Sequence, residues 1–475
     1  MFIGLDIGTG SVKMAALSRG GSLREASERY GGRTVVGRQS SRELAEACRL
    51  LLLRAASLAR SAGEAVEAVA ASGHGPSLVV VDGKGRAEAE LYTWQDSSTV
   101  AEAAELSSRY PGFGKTGECF EAKLLAAWRR IGGAWRGETA LAPKDYLVFL
   151  LSGERVMDRA AASTLAFFDA GEGAACEGPW TWDCGRVGVD SRFLPRVVGC
   201  CERAGASGTE FSRNCGLPDG VPVYAGCIDA WCEAIGAGAV EEGDLVDGSG
   251  TSTCISRCAG DGDPCPEHAI GGLRFRIETI SSTGASALWA EAALGLPIAR
   301  WKEEAAGSPV PILFLPFLLG ERSPVWDEDA SALFLGIRGS DRAADLMSAV
   351  FQGTAFATAQ CLELVDAGGS SPVRAVGGGN DNLPWVRMKA AASGRTYKIM
   401  SVRNAAPLGA ALIAAYGSGV GGFKELTEEY LRVEVEVRPE ERHRGAFERL
   451  GRSYGRLYGE LKDEMKALAE ERRRE

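Results

Sequence analysis

Several features that mark large classes of protein are missing from this chain of 475 residues. No apolar run reaches the length of a membrane span, and residues 1–6 lead directly into a strand-like run without the layout of a signal peptide. Acidic residues outnumber basic ones, 63 to 53, which gives a net charge of −10 and disfavours nucleic-acid binding. We therefore expect a cytoplasmic protein that binds neither a membrane nor a nucleic acid.

Metal-binding cysteine and histidine patterns are also missing. Only three histidines are present, and no Cys-x2-Cys pair has the spacing of a zinc site. The 13 cysteines are odd in number, so they cannot all pair within one chain, and they are scattered between Cys48 and Cys361. We expect most of them to be small buried residues in a reducing compartment and expect no structural zinc.

The length and composition predict two large domains. A chain of 475 residues exceeds what one hydrophobic core usually supports, and 45% apolar and 24% charged residues are ordinary for a globular protein. Strand-like and helix-like patterns alternate in both halves, which indicates two α/β domains, residues 1–238 and 239–475. No long heptad pattern is present, so a homodimer is expected only because dimers are common.

Two short segments are nearly the same. Residues 4–13 read GLDIGTGSVK and residues 245–254 read LVDGSGTSTC. Each is an apolar strand, a Gly/Ser/Thr turn and a second strand-like run, and such a turn lets backbone N–H groups approach an anion. Neither is a Walker A loop or a Rossmann fingerprint. Two ordinary β-hairpins would explain either segment alone, but the pair favours two related lobes around one polyphosphate and hence phosphoryl transfer.

Two carboxylates could take part in that chemistry. Asp6 precedes the first glycine turn and could orient the hydration shell of Mg2+, although a turn-capping role is equally compatible with its position. Asp229 lies where a strand ends and an Ala-rich helix begins. A carboxylate there could accept the proton of an attacking hydroxyl, or simply cap the helix.

Three further features suggest ligand contacts. Residues 377–379, Gly-Gly-Gly, stand between a strand and a helix, where missing side chains leave room for a base or ribose, although a flexible turn is the alternative. Trp94 could pack its indole against a sugar, or belong to the core. His74 could contact the same sugar or lie in a surface loop.

Taken in order, these segments resemble the FGGY carbohydrate kinases of the actin/hexokinase/Hsp70-like superfamily over nearly the whole chain. The matching segments are GLDIGTGSVK (4–13), LYTWQD (91–96), KDYL (144–147) with Asp158 and Ala162-Ser163, GCID (226–229), GSGTS (248–252), FLLGERSPVWD (317–327), GGG (377–379) with Trp385, and LGAA (408–411).

The resemblance implies two ribonuclease H-like lobes with an interlobe cleft, in which ATP and Mg2+ serve to phosphorylate a sugar or polyol, such as a ketopentose. Asp229 would be the catalytic base. His74, Trp94 and Asp229 would bind the acceptor, and Mg2+ would be held by Asp6, through water, and by Asp229. The ATP-binding residues implied are Thr9, Gly10, Ser11, Lys13, Gly250, Thr251, Gly284, Gly378 and Asn382.

The acceptor segment departs from the family. Gly75 and Pro76 stand where glycerol kinases carry an Arg-Glu pair and xylulokinases a Met-His pair, and Ala230 stands where both carry an amide. Losing these polar contacts puts the usual substrates in question. It also leaves open a nucleotide-binding regulatory protein of the same fold, while an acyl-phosphate or glycan-linked kinase of another branch of the superfamily is disfavoured by residues 317–327.

Overall fold

The computed structural model describes residues 1–32, 36–110, 117–169, 181–305 and 307–474; Cys176 lies outside them. The chain forms two compact units. Unit 1 comprises Met1–Val240, Gly260–Phe275 and Asn404–Tyr430, and unit 2 comprises Glu241–Ala259, Arg276–Arg403 and Leu431–Glu475. The division into 1–238 and 239–475 remains a prediction about domains; by packing, the two later segments of unit 1 lie with the N-terminal half.

Strands and helices alternate along the chain, as the sequence predicts. The strands are β1 (Phe2–Ile7), β2 (Ser11–Leu17), β3 (Leu23–Arg29), β4 (Arg38–Ser40), β5 (Ala68–Gly73), β6 (Val79–Val81), β7 (Glu90–Tyr92), β8 (Thr139–Leu141), β9 (Val156–Asp158), β10 (Phe168–Asp169), β11 (Thr181–Trp182), β12 (Arg196–Val198), β13 (Arg203–Ala206), β14 (Pro222–Ile228), β15 (Leu245–Ser249), β16 (Thr253–Gly260), β17 (Leu273–Ile280), β18 (Leu313–Leu315), β19 (Leu333–Leu335), β20 (Val373–Val376), β21 (Tyr397–Met400) and β22 (Val433–Val437).

The helices are α1 (Ser41–Ser61), α2 (Val100–Arg109), α3 (Phe120–Arg130), α4 (Pro143–Ser152), α5 (Arg159–Ser163), α6 (Cys184–Val187), α7 (Glu210–Asn214), α8 (Asp229–Gly236), α9 (Gly284–Leu294), α10 (Ile298–Glu304), α11 (Ala343–Val365), α12 (Leu383–Ser393), α13 (Ala405–Gly417), α14 (Phe423–Tyr430) and α15 (Glu441–Arg472). Short 3-10 helices cover Ser191–Phe193 and Gly378–Asp381. No helix among the described residues is long and apolar enough to cross a membrane.

The main sheet of unit 1 has the strand order β13-β14-β5-β1-β2-β3. Strand β1 pairs antiparallel with β2 and parallel with β5, and every residue of β1 and β5 is buried. Ile3 and Leu5 of β1 pack into a core that also contains Leu51 of α1 and Leu147 of α4. Because side chains alternate along a strand, Asp6 lies on the opposite face of the sheet.

That opposite face is covered by α13, which approaches so closely that only small residues fit. A Cβ atom on Gly4 would lie 2.1 Å from the carbonyl oxygen of Pro407. A Cβ atom on Gly409 would lie 1.8 Å from the carbonyl oxygen of Cys232 in α8. The segment that resembles the family's LGAA motif is therefore buried within unit 1, where its glycine allows α13 to pack against α8.

The main sheet of unit 2 has the order β17-β16-β15-β20-β21-β22. Its pairings match those of unit 1: β15 is antiparallel to β16 and parallel to β20, β20 is parallel to β21, and β21 is antiparallel to β22. Its core draws on α9, α11, α12 and α15. The two hairpins predicted from the repeated segments therefore start two sheets of the same design.

The charged C-terminal segment forms the long helix α15. Phe447, Tyr454 and Met465 of this helix are buried in unit 2, so one face of it belongs to the core. Residues 470–474 are exposed, although Arg473 forms an ion pair with Asp329 at 2.7 Å.

Candidate active site

Asp6 is held at the end of the central strand of unit 1. The register places it opposite Lys13 on β2 and Ser72 on β5, and the Ser72 hydroxyl donates a hydrogen bond to its Oδ1 at 2.9 Å. Burial raises the pKa of Asp6, while Lys13 and the Ser72 hydrogen bond act in the opposite direction. Asp6 therefore belongs to a defined polar cluster.

The turn between β1 and β2 presents backbone donors. Its base is closed by a hydrogen bond from the Gly8 N–H to the Ser11 carbonyl at 3.0 Å. Among the described residues, no group accepts a hydrogen bond from the N–H of Thr9 or Gly10, and a Cβ atom on Gly10 would meet nothing within 4 Å. The turn therefore offers backbone donors that an anion could accept from, and its role as a phosphate loop stays a prediction.

Asp229 begins α8 directly after β14. Its Oδ1 accepts a hydrogen bond from the N–H of Ala230 at 2.8 Å, and no ion pair forms on it among the described residues. Burial, and to a lesser degree the negative charge of Asp6, raise the pKa of Asp229 to about 8. A carboxylate with such a pKa accepts a proton readily near neutral pH, as a general base must.

A glycine with a left-handed backbone sets the position of Asp229. Gly226 has φ +70°, and the pairing of β14 with β5 shifts its register between Tyr224 and Cys227. A Cβ atom on Gly226 would lie 1.7 Å from the carbonyl oxygen of Ala71. The bulge re-aims the end of β14, as bulges near functional sites commonly do.

Asp6 and Asp229 are two carboxylates of unit 1 that interact electrostatically. Burial raises the pKa of both groups, and the negative charge of Asp6 raises that of Asp229 further, so a divalent cation beside them would favour their charged forms. Mg2+ binds to proteins through one or two carboxylates and keeps several waters. The donor set therefore fits the predicted ion.

A second group of potential ligand atoms, which the sequence analysis did not foresee, does not fit a metal. Asp158, Cys200 and Cys227 place one ligand atom each within 4.8 Å of one another. However, the Asp158 carboxylate already binds the Lys144 ammonium at 2.6 Å and caps α5. Burial also raises the pKa of the Cys227 thiol well above its ordinary value, so it stays protonated.

In unit 2, the predicted residues of the second loop lie together. The Gly250 N–H donates to the Ser252 carbonyl at 2.8 Å, and the Ala285 N–H at the start of α9 donates to the Thr251 carbonyl at 3.0 Å. A Cβ atom on Gly284 would lie 2.3 Å from the Gly250 carbonyl oxygen, so glycine is required for this close approach. Gly250 and Thr251 themselves are exposed.

The Gly-Gly-Gly segment packs against the same loop. Gly377 has φ +86°, and a Cβ atom there would lie 2.4 Å from the Ser249 carbonyl oxygen. Gly378 is exposed, with nothing within 4 Å of a Cβ position. Asn382 is buried and its Oδ1 caps α12 through the N–H of Trp385 at 3.4 Å. Gly378 thus offers an open surface, and Asn382 fixes the helix behind it.

His74 is buried and both of its ring nitrogens are engaged. Nδ1 lies 2.7 Å from the Ser77 hydroxyl, and Nε2 lies 3.1 Å from Oε1 of Gln39. The Gln39 amide in turn donates to the Gly8 carbonyl at 3.3 Å. Burial lowers the pKa of His74 to about 4, so the ring is neutral. The predicted sugar contact by His74 stays a prediction; the hydrogen bonds connect His74 to the turn between β1 and β2.

The predicted acceptor segments are neighbours in unit 1. Leu78 and Tyr92 exchange two backbone hydrogen bonds of 2.8 Å, which brings residues 74–78 beside residues 92–96. Trp94 is half-buried there. A Cβ atom on Gly75 would lie 3.8 Å from the side chain of Ile228, the residue before Asp229. Gly75 therefore lies near the candidate base.

Comparisons with known proteins agree with this architecture. The model of the C-terminal domain of the FGGY family of carbohydrate kinases matches residues 273–418. A xylulose kinase of Staphylococcus epidermidis is 24% identical over 94% of each chain, and one of Bacillus subtilis is 24% identical over 98% of each. The crystal structure of xylulose kinase from Rhodospirillum rubrum superimposes with a TM-score of 0.82 at 23% identity, covering 98% of this chain and 99% of that one.

The ordered motifs, the two matching sheets and these similarities lead to one assignment. The fold is the two-lobe, actin-like ATPase fold that the sequence predicts. The chain is similar to the FGGY family of carbohydrate kinases, whose C-terminal domain model matches residues 273–418.

Proposed function

We propose that the protein transfers the γ-phosphoryl group of ATP, with Mg2+, to a hydroxyl of a small ketose, with a ketopentose as the favoured class. The observation that carries the proposal is Asp229, a carboxylate of raised pKa at the start of α8 that interacts electrostatically with Asp6 and Lys13 at the first phosphate turn. A base, a cation and an anion-binding turn are the parts that phosphoryl transfer requires.

The residues of unit 1 would carry the chemical step. Asp229 accepts the hydroxyl proton while the hydroxyl oxygen bonds to the γ-phosphorus and ADP leaves. Lys13 and the N–H groups of Thr9 and Gly10, with the Ser11 hydroxyl, bind the phosphate oxygens. Asp6, through water, and Asp229 would hold Mg2+, which when bound neutralises charge on the phosphates.

The residues of unit 2 would bind the rest of the nucleotide. Gly250 and Thr251, backed by Gly284, would contact phosphates, since both residues are exposed. Gly378 would lie against the adenosine, since nothing within 4 Å of its Cβ position obstructs a flat base. Asn382 would act by fixing the start of α12.

The ketose class is supported by the similar xylulose kinases. The departures at Gly75, Pro76 and Ala230 limit that inference, because none of these side chains can hydrogen-bond a sugar hydroxyl. Weaker discrimination between ketoses is therefore expected than in an enzyme with polar groups at those positions. Trp94 would supply an apolar face to the acceptor.

The test is ADP release with Mg-ATP by the wild type, Asp229→Asn and Glu233→Gln. Glu233→Gln is the matched control, because it removes a carboxylate from the same helix one turn away. We expect Asp229→Asn to lower kcat by at least about 100-fold, the scale of general base catalysis, and Glu233→Gln to retain turnover. Full turnover by folded Asp229→Asn would refute the assigned base.

A further inference from the structure

A buried ion pair lies behind the second phosphate loop. The ammonium of Lys389 in α12 lies 2.9 Å from Oδ2 of Asp247 in β15, and both side chains are fully buried. The same ammonium donates to the Ser249 hydroxyl at 2.6 Å and to Oδ1 of Asn380 at 3.0 Å. All three N–H groups of this lysine are therefore satisfied, and its Nζ lies 4.1 Å from the centroid of the Trp385 ring.

Asp247 and Asp6 hold equivalent places in the two sheets. Each lies on a strand that pairs antiparallel with the next strand in the chain and parallel with a strand that comes later, β5 for Asp6 and β20 for Asp247. Asp6 has a hydroxyl partner and no ion pair among the described residues, whereas Asp247 is neutralised by Lys389. The two carboxylates therefore differ in availability, although the sequence presents them alike.

The network around Lys389 joins two segments that carry predicted ATP contacts. The Asn380 amide donates to the Asp247 carbonyl at 3.0 Å and to the Val376 carbonyl at 2.7 Å, which fixes the Gly-Gly-Gly segment. On the other side, the Ser249 hydroxyl lies 2.9 Å from that of Thr253, in the hairpin of the second loop. One lysine thus bonds groups from both segments.

We propose that Asp247 and Lys389 are a positioning pair that holds the second phosphate loop and the Gly-Gly-Gly segment in the nucleotide-binding arrangement, and that Asp247 is closed to divalent cations. This inference rests on the proposed ATP binding. Neither residue touches the nucleotide; each acts through Ser249 or Asn380. The cation would then depend on Asp6 and not on its counterpart Asp247.

If the Asp247–Lys389 pair only stabilised the fold, its removal would not weaken nucleotide binding by the folded protein. Removing one partner of a buried pair leaves an uncompensated charge and strongly destabilises a protein, whereas replacing both with apolar residues is often neutral. The informative variant is therefore Asp247→Leu/Lys389→Met. Arg395→Met is the control, because Arg395 forms another ion pair in unit 2, with Asp366 at 2.6 Å, and Asp366 keeps Arg257 as a partner at 3.2 Å.

The experiment measures ADP binding by calorimetry, without an acceptor, together with the KM values for ATP and for the acceptor. We expect the double variant to bind ADP about tenfold more weakly than the wild type, a loss of roughly 1.4 kcal/mol. The KM for ATP should rise similarly, and the acceptor KM should not change. Arg395→Met should bind ADP like the wild type.

A milder variant keeps the proposal testable if the double variant does not fold. Ser249→Ala retains the ion pair and removes its bond to the loop, so we expect weaker ADP binding with a normal unfolding midpoint. Wild-type ADP affinity in either folded variant would overturn the positioning role. A failure of the assigned base would instead appear as turnover by Asp229→Asn, which leaves the ADP measurement unaffected.

The closure of Asp247 to cations has its own readout. The Mg2+ concentration that half-saturates the enhancement of ADP binding should rise in Asp6→Asn. It should stay at the wild-type value in Asp247→Leu/Lys389→Met, even where ADP itself binds more weakly. A shift in the double variant equal to that in Asp6→Asn would show that Asp247 contributes to the cation site.

Discussion

At the scale of single residues, the proposed chemistry depends on a carboxylate that is costly to ionise. Asp229 begins a helix, where the backbone N–H of Ala230 stabilises its negative form, yet burial and Asp6 raise its pKa to about 8. The same environment that makes Asp229 a good proton acceptor therefore reduces the stability of the folded protein when Asp229 is charged.

The pH dependence of turnover should reflect this pKa. The base must be deprotonated, so kcat/KM is expected to fall as the pH decreases through the pKa of Asp229. A bound divalent cation lowers that pKa, which places the acidic limb between the ordinary value of 3.8 and about 8. The Asp6→Asn variant should move the limb to lower pH, because Asp6 raises the pKa. A pH–rate profile without an acidic limb in this range would contradict the assignment.

The stability of the folded protein should fall as the pH rises, whereas turnover should increase. Because the folded-state pKa of Asp229 lies above the unfolded value, the folded protein binds more protons, and stability falls as the pH rises from about 4 to about 8. Asp229→Asn removes this penalty and should be more stable than the wild type at pH 8.5 by at least about 1 kcal/mol. Urea unfolding of the Mg2+-free proteins at pH 4 and pH 8.5 measures the difference. If Asp229→Asn were no more stable than the wild type at pH 8.5, the raised pKa of Asp229 would be contradicted.

The hydrogen bonds of His74 predict an effect on ATP. His74→Leu and Gln39→Leu should each raise the KM for ATP about fivefold, the scale of one buried hydrogen bond. The double variant should show no further increase, because both act on the Gly8 carbonyl. Steady-state kinetics, with ATP and the acceptor varied in turn, shows which of the two KM values changes. An increase confined to the acceptor KM of His74→Leu would place His74 in the sugar site.

The sequence indicates candidate site residues at turns, but it does not show which side chains bond to one another. Thr9, Gly10 and Asp229 could be singled out because turn chemistry and strand–helix junctions are local features. Lys389 could not, since a lysine in an Ala-rich helix reads as an exposed residue, and only the fold places it beside Asp247. The partner of His74, Gln39, is 35 residues away in the chain and was equally unpredictable.

At the scale of elements, the junction between β14 and α8 positions the proposed base. The sequence predicts an Ala-rich helix after a strand at this point, and α8 begins at Asp229. The bulge in β14 left no clear signal in the sequence, because Gly226 is one of 62 glycines. The need for glycine at position 226 is clear only from the structure, in which Ala71 of β5 lies against it.

Substituting Gly226 tests this junction. Gly226→Ala would place a Cβ atom 1.7 Å from the Ala71 carbonyl oxygen. We therefore expect the free energy of unfolding to fall by more than about 3 kcal/mol and turnover to be lost. Gly153→Ala is the matched control, since Gly153 has φ +81° but nothing within 4 Å of its Cβ position; it should cost about 1 kcal/mol. Thermal unfolding of both variants provides the comparison, and equal losses would show that the bulge is not constrained by β5.

At the scale of the whole molecule, two sheets of the same order carry two versions of one strand–turn–strand unit. The sequence repeat predicted this relation, and the family comparisons confirm the fold. The sequence could not predict that the two aspartates differ, with Asp6 left without an ion pair and Asp247 bonded to Lys389. The expected homodimer stays a prediction.

The most direct measurement is ADP release with Mg-ATP across ketoses, aldoses, polyols and deoxy or amino sugars, with wild type and Asp229→Asn side by side. The account predicts that at least one ketose, most directly a ketopentose, supports strong turnover that Asp229→Asn abolishes. Confirmed ATP binding without turnover on any acceptor, or turnover that survives Asp229→Asn, would contradict the proposal that this protein is a ketose kinase acting through Asp229.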